Sequence, residues 1–404
     1  MPVTLLPGPF LDFPLNPLVG RLESSAIRDM LAVAGRPGML SLAGGLPAGD
    51  LFPVDRLARV VAGLLATDPG LALQYGPTEG HEPLRAWIAA YESLRCGREV
   101  ALDQVLVTAG SQQALDLVAR TLCSPGDTIV VEEPGYLGAL QVLRAAGIRL
   151  VPVPVDADGL DVENLAVRLA AGLRPVAVHT VTSFQNPSGT TLREPRRRML
   201  AALADRYGFV VVEDDPYAEL CFDGRPRPPV RSFGDRVVTL GSFSKTVAPG
   251  LRVGWAVLPQ PLVTPVVRLK QAADLHTSAL GQAAISGLVA DRRWWRGHLD
   301  TVRAGYSRRA TALADALGDV FGARLTLNSP SGGMFLWGRF TDGTSTAELL
   351  PRALDRGVIF VPGVEFHTGP GGEGTLRLAY ATNTPDGLAE AARRLRDAHA
   401  GLRG

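Results

Sequence analysis

A single lysine stands in the run GSFSKTVAPGLRVGW, residues 241–255, among small and hydroxyl side chains, with Arg252 further along the same run. Lysines of solvated loops keep polar company, whereas Lys245 lies between Ser242, Ser244 and an apolar stretch. Desolvation of that kind lowers an ammonium pKa and leaves a neutral amine able to form a Schiff base with a carbonyl. The plain alternative is a strand-end lysine in a solvated loop, and this run alone does not decide between them.

A second run, FVVVEDDPYAEL, reads as a buried strand ending in Glu213, Asp214 and Asp215, followed by Pro216 and Tyr217. Strand-end carboxylates are common in loops, and Asp215–Pro216 fits a helix cap or turn. Asp214 has a further use. A carboxylate beside a pyridine nitrogen keeps it protonated, which a cofactor of that ring type needs to act as an electron sink. At contact distance the attraction is about 1–4 kcal/mol, enough to move the nitrogen's pKa by roughly one to three units. In a third run, TSFQNPSGTT, the Asn186–Pro187 pair fixes a turn that presents the asparagine amide at the sheet's edge. In a fourth, VTAGSQQALDL, Gly110, Ser111 and Gln112 stand where a strand becomes a helix. Free backbone N–H groups there make an anion site, and a simple cap explains the same residues.

Such residues need a frame that brings strand ends together. VLVT, TIVVEE, IRLVPV, VAVHTVT, FVVVE, VVTLG and RVGWAVL give seven strand candidates. Helical patterns lie between them: SQQALDLVARTL puts Leu115, Val118 and Leu122 on one face, and Pro195 opens another helix. Alternation of this kind predicts an α/β fold with a mostly parallel seven-stranded sheet covered on both faces, its ligands beyond the carboxyl ends of the strands. After about residue 290 a tryptophan-containing helix, SGGMFLWGRF, VIFVPGVEF and TLRLAY predict a smaller α+β lobe. In TLRLAY, Thr375, Arg377 and Ala379 share one strand face, so Arg377 projects past small neighbours. Its plain alternative is an ordinary edge-strand arginine. Residues 21–34 read as a helix, followed by the turn-rich LAGGLP.

Composition removes other classes. The 41 basic and 40 acidic residues nearly cancel, so no broad field draws the chain to nucleic acid or membrane. Cys96, Cys123 and Cys221 are odd in number and lack CxxC spacing, which fits a reducing, cytoplasmic setting. His81, His179, His276, His298, His367 and His399 form no recognised metal pair, so no metal is expected. The proline-rich start, with no basic residue before Arg21, reads as an extended arm rather than a signal peptide or membrane span.

Together the runs RLESSAIRDMLAVAGRPGMLSLAGGLP, QYGPTEG, GSQQAL, EEPGYLGAL, QNPSG, EDDPY and GSFSKTVAPGLRVGW resemble the fold-type I pyridoxal-phosphate aminotransferases of class I/II. The similarity runs from Arg21 to Tyr380 and is greatest to the branch with 2-aminoadipate and kynurenine aminotransferases and the effector domains of MocR-type regulators. It implies pyridoxal 5'-phosphate as cofactor, an amino acid and a 2-oxo acid as substrates, and ping-pong exchange. Lys245 matches the Schiff-base lysine, Asp214 the pyridine-nitrogen partner, and Asn186 and Tyr217 the partners of the ring oxygen. Tyr136 matches the stacking aromatic, and Ser111, Gln112, Ser242, Ser244 and Arg252 the cofactor and phosphate cradle. Tyr75 matches a tyrosine that enters the neighbouring subunit's site, which implies a homodimer. Arg377 matches the arginine that clamps the substrate carboxylate, Gly45 a residue whose backbone closes over the substrate, and Arg28 a side-chain reader. The stretches 12–28 and 274–280 are expected to line the substrate pocket, including Asp274, His276, Ser278 and Leu280.

The expected division is an arm and helix at 1–49 joining the small domain, a large cofactor-binding domain at 50–290 and a small domain at 291–404. Two rivals keep the cofactor and change the task. One is an oxidase, decarboxylase or cyclase on the same scaffold. The other is a sensor without turnover, for which a winged helix-turn-helix does not fit before Arg21.

Overall fold

A computed structural model describes residues 16–20, 30 and 35–402. The expected helix at 21–34 falls almost wholly outside that range. Leu40–Ser41 is β1. The seven expected strands form Val105–Thr108 (β2), Thr128–Glu133 (β3), Arg149–Asp156 (β4), Ala177–Val181 (β6), Val210–Asp214 (β7), Val237–Ser242 (β8) and Gly254–Val257 (β9). They are rich in valine, whose branched side chain suits a pleated surface covered on both sides. The sheet has one more strand than expected. Gly159–Leu160 (β5) turns back antiparallel along β4, and two residues are too short to show a period in sequence.

The sheet order is β2-β9-β8-β7-β6-β3-β4-β5. β9 runs antiparallel to both β2 and β8, while β8, β7, β6, β3 and β4 pair in parallel. So β2, β3, β4, β6, β7 and β8 all point the same way, and their carboxyl ends open on one edge. Alternate residues face opposite layers. Ile129, Val131, Val212 and Leu240 pack with Leu115, Leu140 and Val266, whereas Val130, Val211 and Val237 pack with Leu165 and Leu200. The helix Ser111–Leu122 buries Leu115 and Val118 as its spacing predicts, and Glu194–Tyr207 starts with Pro195 and ends on Gly208 in the left-handed conformation.

The later segments form Leu325–Leu327 (β10), Phe335–Phe340 (β11), Val358–Ile359 (β12), Val361–Pro362 (β13) and Thr375–Ala379 (β14). β10, β11, β14 and β13 make an antiparallel sheet, and β1 pairs in parallel with β12. β14 lies inside this sheet, between β11 and β13, so Arg377 is not an edge-strand residue. Its long helix, Arg292–Phe321, buries Tyr306, Leu313 and Leu317. Among the described residues no helix is long and apolar enough to cross a membrane, and no cluster of three metal-ligating side chains occurs.

Candidate active site

Five strands deliver their ends to one cavity of about 380 Å³. Ser111 follows β2, Tyr136 follows β3, Asn186 follows β6, Asp214 ends β7, and Ser242, Ser244 and Lys245 close β8 and its turn. Tyr217 and Arg252 join them from the following turns, Gly45 from the strap after β1, and Arg377 from β14. Sites beyond the carboxyl ends of parallel strands arise because neighbouring loops diverge there and leave a crevice.

Lys245 Nζ donates to the Gly45 carbonyl at 3.0 Å, and Ser242 Oγ accepts the Ser244 N–H at 3.1 Å. Burial pushes the lysine ammonium down to about 8, helped by the positive charges of Arg377 and Arg252 and opposed by Asp214. The expected desolvation of this amine is thus a property of its seat. Asp214 is 2% exposed, and its Oδ1 has no hydrogen-bond partner. Its other oxygen lies 3.9 Å from His179 Nε2. A buried carboxylate oxygen facing a cavity without a donor calls for one, and a protonated ring nitrogen supplies it. His179 was not anticipated as a site residue. Its signal is positional: it lies two residues before Val181 on the same face of β6, and Val181 lines the cavity.

Arg377 is 1% exposed. It donates from Nη1 to Asn186 Oδ1 at 2.7 Å and from Nη2 to the Ala43 carbonyl, while Nε has no partner. The rings of Phe335 and Phe366 lie 4.4 and 4.9 Å from its guanidinium carbon. Burial lowers its pKa to about 10, against the pull of Tyr217 and Tyr136, and the group stays cationic at neutral pH. Burial likewise pushes the Tyr136 phenol up to about 12 and the Tyr217 phenol well above its ordinary value. Both hydroxyls therefore remain protonated donors. Asn186 is held by its neighbour: Gln185 donates to Glu132 at 3.0 Å and to the Pro134 carbonyl at 2.9 Å, and accepts from Ser188.

At the other end, the first turn of the helix Ser111–Leu122 meets Arg252, which donates to the Ala109 carbonyl at 2.8 Å. Gly110 joins strand to helix at φ 91°, and a Cβ there would come 2.6 Å from the Arg252 guanidinium. Only glycine leaves the backbone N–H groups, Ser111, Gln112 and Arg252 free to surround one anion. The donor set fits a phosphate, and the cavity as a whole fits an aromatic aldehyde phosphate.

Three groups of expected residues lie outside this cavity or outside the described residues. Tyr75 is 79% exposed and lies outside the cavity, edge-on to His276 at 5.7 Å. Asp274, His276, Ser278 and Leu280 are not among the lining residues: Asp274 accepts from Lys270 and Gln113, and Ser278 caps the helix Ala279–Ala290. Arg28 and residues 12–15 and 21–28 lie outside the described residues. Leu46 and Pro249 line the cavity without having been singled out, since nothing in their type marks them, and Pro216, read only as a turn residue, lines it too.

The chain matches the family model for aminotransferase class I and II over residues 37–395. It is 42% identical to a 2-aminoadipate transaminase of Thermus thermophilus, over 95% of this chain and 96% of the relative. An aromatic-amino-acid aminotransferase of Thermococcus litoralis is 35% identical over 93% of this chain and 91% of its own length. The crystal structure of an alpha-aminoadipate aminotransferase from Thermus thermophilus, complexed with N-(5'-phosphopyridoxyl)-L-leucine, superposes with a TM-score of 0.89 at 39% identity. That alignment covers 96% of this chain and 98% of the other. With the family model spanning most of its length and the cavity suited to the cofactor, the chain belongs to the class I and II aminotransferases, pyridoxal-phosphate-dependent transferases of amino groups.

Proposed function

We propose that this chain moves the amino group of an L-amino acid to a 2-oxo acid by a ping-pong mechanism, with Lys245 as the reacting amine. The observation that carries this is one cavity holding a lysine pushed down to about 8, an unpartnered Asp214 oxygen and the buried cation of Arg377. When bound, pyridoxal phosphate supplies an aldehyde that exchanges amines and a ring that takes up the electrons left by a departing alpha proton.

The protein's part follows from its own atoms. With the cofactor bound, Asp214 would hold the proton of the ring nitrogen, Asn186 and Tyr217 would hold the ring oxygen, and Tyr136 would lie against the ring. Ser111, Gln112, Ser242 and Arg252 would hold the phosphate, and Ser244 lines the same cofactor cavity. Lys245 Nζ, once free, takes the alpha proton and returns it at the neighbouring carbon; its lowered pKa keeps a useful neutral fraction near pH 7. Arg377 holds the carboxylate of each substrate in turn, offering its unpartnered Nε–H and its fork. The Gly45 backbone and Leu46 close over the substrate, and Arg28 reads its side chain.

Three wider readings accompany this. The chain works as two lobes parting near residue 290, with 1–49 attached to the smaller; the pairing of β1 with β12 supports that attachment. Exposed Tyr75, with exposed Leu71 and Leu73 nearby, supports a homodimer in which Tyr75 reaches the partner's site. Sedimentation as a monomer at micromolar concentration removes that reading. Free Cys96, Cys123 and Cys221 support a cytoplasmic setting.

The reaction is tested by a single turnover. Holoenzyme mixed with one amino acid at a time, from a panel of acidic, aromatic, branched and basic types with no acceptor present, should release one equivalent of 2-oxo acid per site. The panel includes 2-aminoadipate and the aromatic acids. Carbon dioxide release in place of the oxo acid assigns the scaffold to decarboxylation, and no release with any member removes the proposal.

A further inference from the structure

The last residue of β3 does work outside the cavity. Glu133 accepts the Thr368 N–H at 3.0 and 3.1 Å on its two oxygens, the Thr368 hydroxyl at 3.1 Å, and faces His367 Nδ1 at 3.0 Å. Two residues on, the Gly135 N–H donates to the Phe366 carbonyl at 2.9 Å. The runs 133–135 and 366–368, far apart in sequence, are thus tied at both ends. The seat of the His367 ring is shaped for it, since a Cβ on Gly372 would stand 2.7 Å from that ring.

What this tie holds is the cover of Arg377. Val361 pairs with Arg377 in the sheet, and five residues later the fully buried Phe366 lays its ring 4.9 Å from the guanidinium carbon. Gly135, on the other side of the tie, is followed at once by Tyr136 of the cavity. One carboxylate therefore fixes the run that shields the cation against the run that carries the cavity's aromatic. We propose that Glu133 is a positioning residue for Arg377, acting through residues 361–368, so that substrate carboxylates meet a guanidinium kept dry and fixed in place. The inference rests on Arg377 as the carboxylate reader. With the Glu133 carboxylate gone, the run 366–368 keeps only the Gly135–Phe366 hydrogen bond to the run 133–135, Phe366 loosens, water reaches the guanidinium, and its attraction for a carboxylate weakens. Lys245 stands in the turn after β8 and Asp214 on β7, and both keep their places.

The test uses holoenzyme and the amino acid that releases oxo acid fastest in the panel above. Single-turnover rates against concentration separate binding from the chemical step, and calorimetry with the desamino analogue of that amino acid reads carboxylate binding without reaction. Glu133→Ala should weaken both binding constants about tenfold, the order expected for lost hydrogen bonds to a charged group, with the limiting rate within about twofold. Glu133→Gln, whose amide oxygen still accepts from Thr368, should restore binding to within about twofold. Arg377→Met reports on the underlying reading: if it leaves analogue binding unchanged, Arg377 is not the reader. If Arg377→Met weakens binding and Glu133→Ala does not, the reader stands and the positioning role is overturned. A loss of thermal stability with no change in binding also overturns it. Should Glu133→Ala fail to fold, Thr368→Val with His367→Ala removes the hydroxyl and imidazole contacts from the other side, keeps the Thr368 N–H, and should weaken both binding constants in the same direction by a smaller factor; unchanged binding overturns the proposal.

Discussion

Lys245→Ala is expected to lower the single-turnover rate by at least about 10³-fold, because it removes both a covalent attachment point and a general base worth roughly 10²–10⁴ alone. The variant should fold, since the side chain makes one hydrogen bond, to the Gly45 carbonyl, and stands open to the cavity. Borohydride reduction of cofactor-supplemented protein should add mass to the peptide bearing Lys245 in the unsubstituted chain and to no peptide in the variant. The same amine sets a pH profile. Its pKa is pushed down to about 8 by burial, so below that value the protonated form dominates and the neutral form falls about tenfold per pH unit. The rate at which cofactor-free protein captures pyridoxal phosphate should rise with pH to near 8 and then level. A rise continuing to pH 10 would show an ordinary solvated lysine, and near-normal turnover by Lys245→Ala would end the proposed mechanism.

Much of this site was legible because its chemistry demands residue types that are conspicuous where they stand. A lone lysine among hydroxyls, an asparagine before proline and carboxylates at the end of a valine run all mark strand ends, and the parallel strands bring those ends to one edge. What was not legible depends on partners far away in sequence. Phe335 and Phe366 look like any core aromatic until the fold lays them beside Arg377. Residues 274–280 mix polar and apolar types as a pocket wall would, yet Asp274 is spent on Lys270 and Ser278 on a helix start. Tyr75 has no role visible in one chain, and the role proposed for it needs a second copy. β5 was missed for lack of length, not of pattern.

The three adjacent carboxylates Glu213, Asp214 and Asp215 read alike in sequence, and the fold gives each a different task. Glu213 points into the layer beneath the sheet, where it pairs with buried Arg197 and accepts the Thr182 hydroxyl and the Val230 N–H. Asp215 leads into the turn at Pro216 and Tyr217, as its sequence suggests, and its side chain pairs with Arg95 rather than capping a helix. Asp215 Oδ1 and Asp214 Oδ1 both lack a partner among the described residues, but only Asp214 lines the cavity, whereas Asp215 lies against Arg95 outside it.

That difference sets the second large effect. Asp214→Asn keeps shape and removes charge, so the cofactor should still load on Lys245 and amino acids should still bind. The single-turnover limiting rate should fall by about 10–10³-fold, matching the roughly one to three pKa units that a contacting carboxylate confers on a ring nitrogen. Asp215→Asn is the control, one residue away with the same change of atoms. It leaves Arg95 short of a partner in a buried setting, so it should cost about 1–3 kcal/mol of folding stability while the folded fraction turns over normally. The two variants should thus divide cleanly, one losing rate with its melting temperature intact and the other losing stability with its rate intact. If Asp214→Asn keeps its limiting rate within about threefold, the unpartnered oxygen is not the ring nitrogen's counter-charge, since an amide in that place cannot hold the proton where the electron sink requires it.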